Sequence, residues 1–125
     1  MGMWLIDGMN VVGSIPDGWW RDRRGAMRRL AGEIAAFAAE SGEPVTVVFD
    51  GKPFEVDAAP AQVAFAPQGG RNAADDVIEQ MVAASASPGS TTVVTSDRDL
   101  AERVRRHGAR VVPARAFRNT VRSVP

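Results

Sequence analysis

Cysteine is absent from the 125 residues, which excludes disulfides, thiolate zinc sites and thiol nucleophiles together. Any bound metal must then be held mainly by oxygen. Histidine occurs once, at His107, and lysine once, at Lys52. With imidazole and thiol this scarce, an attacking water is a better expectation than a covalent intermediate. No apolar run approaches the roughly 20 residues of a membrane helix. Met1 to Trp4 lacks the basic and apolar regions of a signal peptide, so no membrane association is expected and the cytosol is the expected location. An excess of one charge sign is missing too: the formal net charge is zero, and the whole-molecule field gives no argument for nucleic acid.

What remains is the composition of a globular protein, 45% hydrophobic and 24% charged, at a length that suits one domain spanning 1–125. All but one of the 15 cationic residues are arginine. Arg21, Arg23, Arg24, Arg28 and Arg29 form a cluster, explained either by the fit of the planar guanidinium to phosphate or by a compositional preference for arginine over lysine.

Apolar runs and helical stripes alternate along the chain. Met3 to Ile6 forms a short expected strand ending at Asp7, and residues 13–20, "GSIPDGWW", form an expected loop. Met27, Leu30, Ile34 and Phe37 recur at helical spacing within 25–40, with Gly42 placed as a C-cap. "PVTVVFD" (44–50), "AQVAFAP" (61–67), "STTVVTSD" (90–97) and "ARVVP" (109–113) are strand candidates. Helices are expected from Asn72, a good N-cap, through Val82, and over 98–107 with a stop at Gly108. The tail after about 114 is expected to hold a helical turn or two and then fray. Near-continuous apolar strands alternating with helices predict an α/β fold, a mainly parallel sheet with helices on both faces.

Three of these runs end in an acid, Asp7, Asp50 and Asp97, and such acids would stand at the carboxyl edge of a parallel sheet, where ligands bind in open α/β folds. Asp99 follows closely, and Asp75, Asp76 and Glu79 occupy the first turns of the helix after Asn72. Converging carboxylates cannot all ionise cheaply without a cation, and Mg2+ or Mn2+ is the natural partner of an oxygen-only set. Such an ion can activate water against a phosphodiester. Bland roles compete for each acid. Asp75 and Asp76 suit a helix N-terminus, Asp97 suits an N-cap, and Asp50 before Gly51 suits a turn. Asp7 has no helix-cap role unless a helix begins at once. Trp19 and Trp20 beside Arg21 suit either base stacking or a lid over the sheet. "QGGRN" (68–72) brings Arg71 and backbone amides to a helix start, either for phosphate or simply as a connection. His107 before Gly108 suits a helix C-terminus.

The segments "IDGMNVVGS" (6–14), "VVFDG" (47–51), "GGRNAADDVIEQ" (69–80) and "VVTSDRDLAERVRRHGARVV" (93–112) together resemble the NYN domains of the PIN-like nuclease superfamily, most closely the YacP-like group. The resemblance implies a three-layer α/β/α PIN-like domain and an endoribonuclease using magnesium or manganese, associated in some relatives with ribosomes. By position, it implies that Asp7 is the first metal-binding acid, Asn10 its hydrogen-bonding companion, Asp75 and Asp76 the mid-chain acids, Asp97 the acid after the later strand and Asp99 an auxiliary carboxylate. Trp20, Arg21, Arg23, Arg24, Arg71 and Asn72 are the expected RNA contacts. A non-catalytic RNA-binding or ribosome-associated module is the competing expectation. A receiver-like phosphate-handling domain is disfavoured because such folds need a lysine near the later strands, and Lys52 follows the middle one.

Overall fold

The computed structural model describes residues 2–66 and 73–122. Five strands, β1 (Met3–Asp7), β2 (Val45–Asp50), β3 (Gln62–Ala66), β4 (Thr91–Val94) and β5 (Arg110–Val112), make one sheet in the order β3-β2-β1-β4-β5. Every neighbouring pair is parallel, with Ile6 opposite Val47 on one side and Val94 on the other. The first strand is thus the centre of the sheet, buried on both faces, which is why its sequence is apolar without alternation.

Helices cover both faces. On one lie α1 (Gly8–Val12), α2 (Arg23–Ser41) and α5 (Ala114–Arg122), packed through Val11, Leu30, Ile34, Phe117 and Val121 against Ile6, Val47 and Phe49. On the other lie α3 (Ala73–Ala84) and α4 (Arg98–Arg106), where Ile78, Val82, Leu100 and Val104 meet Leu5, Val48 and Val93. Adjacent strand residues therefore feed opposite layers, as the period of two requires. Trp4, Phe37 and Phe117 fasten β1, α2 and α5 edge to face, with ring centroids 4.9 and 5.1 Å apart for the two T-shaped pairs.

The elements differ from the sequence expectation at several points. A helix does begin immediately after Asp7, and a 3-10 turn at Trp19–Arg21 interrupts the expected loop. Helix α2 starts two residues early, because the Asp22 carboxylate accepts the Gly25 amide at 3.0 Å and caps it. Strand β4 stops at Val94; the Thr95 N–H still donates to the Val112 carbonyl of β5 at 3.0 Å, and Ser96 and Asp97 lie beyond the ladder. The tail forms a nine-residue helix, α5, that buries Phe117, Arg118 and Val121. Between β2 and β3 the crossover contains no helix; Phe54, Val56, Ala58 and Ala61 fill that part of the layer instead.

Candidate active site

In a sheet of this order the chain turns to opposite sides from β1 and β4, and a crevice opens between their carboxyl ends. Asp7 closes β1 there. Gly8 follows it because a Cβ at that position would lie 2.9 Å from the Val48 carbonyl oxygen and against the Phe49 ring. Without that substituent α1 starts tight against β2. Asp7 takes the backbone N-cap position of α1, yet its side chain makes no capping bond. The carboxylate, only 5% exposed, accepts a hydrogen bond from the Thr95 hydroxyl at 2.9 Å.

The Thr95–Asp97 turn is held from several directions. Asp97 N–H donates to Thr95 Oγ1 at 3.1 Å, and Ser96 N–H donates to Asn10 Oδ1 at 2.8 Å. Ser96 Oγ accepts the Ala114 amide at 2.9 Å, tying the same turn to α5. Asp97 caps α4 by accepting the Leu100 amide at 3.1 Å. Asn10 is therefore a clamp on the turn that carries Thr95 and Asp97.

Asp75 comes to the same crevice from the first turn of α3 and is buried. Burial pushes the Asp7 carboxyl up to about 7 against the opposing Thr95 bond, with Asp75, Asp50 and Asp97 adding repulsion. Asp75 is pushed up to about 6, again chiefly by burial, then by Asp97, with Arg103 opposing. The crevice thus gathers more negative charge than it can hold in the ionised state at low cost.

The neighbouring acids face elsewhere. Asp76 is exposed and bonded to Arg103 Nη2 at 2.6 Å. Glu79 takes the Arg103 Nε at 2.7 Å and His107 Nε2 at 3.1 Å, and these bonds hold its carboxyl below the usual range. Consecutive helix residues point in different directions, so the Asp75–Asp76 pair divides between the crevice and an α3–α4 ion-pair network. Asp99, exposed in the first turn of α4, lines a cavity of about 430 Å³ with Asp75, Asp76, Glu102, Arg103 and Arg106. Trp20 is 57% exposed, with the Arg21 guanidinium 6.0 Å from its ring. Arg23 and Arg24 are exposed at the start of α2, and Arg24 lies over Phe54 at 4.9 Å. Arg71 and Asn72 lie outside the described residues.

A family model described as the YacP-like NYN domain matches residues 4–125. The chain belongs to this family. Two crystal structures of Rae1 (YacP) from Bacillus subtilis share its fold. A tryptophan-to-leucine mutant superposes with a TM-score of 0.80 at 26% identity, covering 99% of this chain and 77% of that one. The second superposes at 0.75 and 24% identity, covering 99% and 75%. No curated protein matches the chain.

NYN domains are nuclease-like and generally depend on a divalent metal. The donor set here fits such an ion in charge and hardness, since Asp7, Asp75 and Asp97 offer oxygen only and two of them are raised toward neutrality by burial and by the neighbouring acids. Among the described residues, however, no group of three or more acidic or histidine side chains is arranged to hold a metal by itself. In this YacP-like NYN domain Thr95 is the site residue that sequence reasoning did not single out, and for Asp50, expected at the same edge, it offered a turn role alone. Gly51 at φ +103 does make the expected turn, but Asp50 also repels both Asp7 and Asp75. Register agrees with the expected edge position: Asp7 pairs opposite Val48, so Asp50 ends the neighbouring strand beside it.

Proposed function

We propose that this YacP-like NYN domain is a cytoplasmic endoribonuclease dependent on Mg2+ or Mn2+, which hydrolyses RNA phosphodiester bonds with water activated at the acidic crevice. The observation that carries the reading is Asp7: a carboxyl buried at the switch point of the sheet, raised to about 7 and faced by further acids. When bound, the ion lowers the pKa of the attacking water and neutralises charge on the phosphoryl oxygens. Asp7, Asp75 and Asp97 are its proposed ligands, with Asp76 and Asp99 at the rim. Thr95 orients Asp7 through its hydroxyl, and Asn10 orients Asp97 by clamping the turn. Trp20 offers a stacking face for a base, and Arg21, Arg23 and Arg24 suit phosphate. Arg71 and Asn72 are proposed phosphate contacts on the sequence alone, and ribosomes are a proposed partner on the family resemblance alone.

The test is incubation with a labelled unstructured RNA and Mn2+. Cleavage that is lost with EDTA and in Asp7→Asn, with the variant still folded, is the expected result. Full activity in Asp7→Asn would sink the reading. The occupation of Asp76 by Arg103 favours one alternative, a non-catalytic RNA-binding module. RNA left intact throughout, with salt-sensitive binding indifferent to chelator, would support that module instead.

A further inference from the structure

The molecule carries a second feature at the switch point. A groove of about 840 Å³ opens at Thr95 and Ser96 and runs between α4 and the edge strand β5. Its floor is apolar, made by Ala101, Val111 and Pro113, and its walls carry Arg98, Arg105 and Arg106 with one acid, Glu102. Arg98 and Arg105 are seven residues apart, about two helical turns, and so share one side of α4. Among the described residues neither has a carboxylate partner. Arg106 pairs with Glu102 at 2.6 Å, but both side chains are about two-thirds exposed (70% and 66%) and such a pair is worth little. A phosphate can therefore take Arg106 over cheaply.

We infer that this groove is a binding track for a single RNA strand, with phosphates on Arg98, Arg105 and Arg106 and sugar and base surfaces on the Ala101–Val111–Pro113 floor, leading to the acidic crevice. The occupant's identity rests on the proposed nuclease reading; the site itself rests on charge complementarity. A protein of zero net charge with a cluster of acids at its centre repels a polyanion there, so binding must come from local cationic surface. The groove supplies it where the crevice begins, on the face of the sheet opposite the Trp20–Arg24 segment. Two cationic regions on opposite faces would hold a strand across the edge between them.

The test separates binding from cleavage. Fluorescence anisotropy with a short, unstructured labelled RNA in EDTA, titrated over salt, compares the wild type with Arg98→Gln/Arg105→Gln and with Glu102→Gln. All three side chains are exposed, so unchanged thermal melting is the fold control. The double variant is expected to bind about tenfold or more weaker at low salt, with its log–log salt slope shallower by about 1.4, the value for two single-strand phosphates. Glu102→Gln is expected to bind tighter, because it frees Arg106. Unchanged affinity in the double variant overturns the inference, as does absence of binding by the wild type. If the wild type binds RNA through the groove but never cuts it with Mn2+, the track stands and the nuclease reading falls.

Discussion

Burial takes the Asp7 carboxyl from 3.8 to about 7, and the folded state bears the cost of ionising it. The folded protein binds more protons than the unfolded chain between those values, so stability falls as pH rises from about 4 through about 7. The full difference corresponds to roughly 4 kcal/mol, an upper figure for a carboxyl with charged neighbours. Asp7→Asn removes the charge, so its melting temperature should exceed that of the wild type at pH 8 and converge with it at pH 4, measured by calorimetry. Asp75, raised in the same direction, adds to the slope. Mn2+ should raise the wild-type melting temperature more at pH 8 than at pH 6, because the ligands must lose protons to bind, and should do so far less in Asp7→Asn. Asp97 has a separable pair of roles. Asp97→Asn keeps an acceptor for the Leu100 amide and should leave stability nearly unchanged while abolishing cleavage, whereas Asp97→Ala should also cost about 1 kcal/mol in urea unfolding. The acids at strand ends were legible in the sequence because a carboxylate after an apolar run has few innocent uses. Their sorting was not: Asp75 and Asp76 are adjacent letters, and only helix rotation and the position of Arg103 separate them.

Elements long enough to show a period could be read directly, and α2, α3 and α4 hold the expected core faces. Helix α1 was not legible, since five residues span little more than one turn and "GMNVV" contains no repeat. Its existence nonetheless decides the site, because it brings Asn10 back to Ser96. Helix α5 was obscured for another reason: its inner face carries Arg118, which breaks the apolar stripe. That guanidinium is buried against Glu33 of α2, with Nε donating to Oε1 at 3.0 Å and Nη2 to Oε2 at 3.3 Å, and it reaches the Val11 carbonyl at 3.5 Å. One side chain thus links α1, α2 and α5. Arg118→Ala should cost on the order of 3 kcal/mol, because it leaves Glu33 without its cation. Arg118→Met/Glu33→Met should recover most of that loss in urea unfolding if pairing rather than packing is what Arg118 supplies.

At the scale of the molecule, parallel pairing places the chain's first strand in the middle of the sheet and lets residues far apart in sequence share one crevice. Asp7 and Thr95 are 88 positions apart and hydrogen-bonded. Composition could not reveal that gathering, since net charge zero averages an acidic centre with arginine-rich flanks. The topology also sets a timetable. Strand β1 is made first, but one of its two partners, β4, follows most of the rest of the chain. A sheet built on such distant pairings closes late. A chain interrupted during synthesis before Asp97 would carry Asp7 and Asp75 without the turn that orders them. The acidic centre is therefore completed only once the chain has reached Asp97, and a fragment that ends before β4 lacks the Thr95 hydroxyl that holds Asp7.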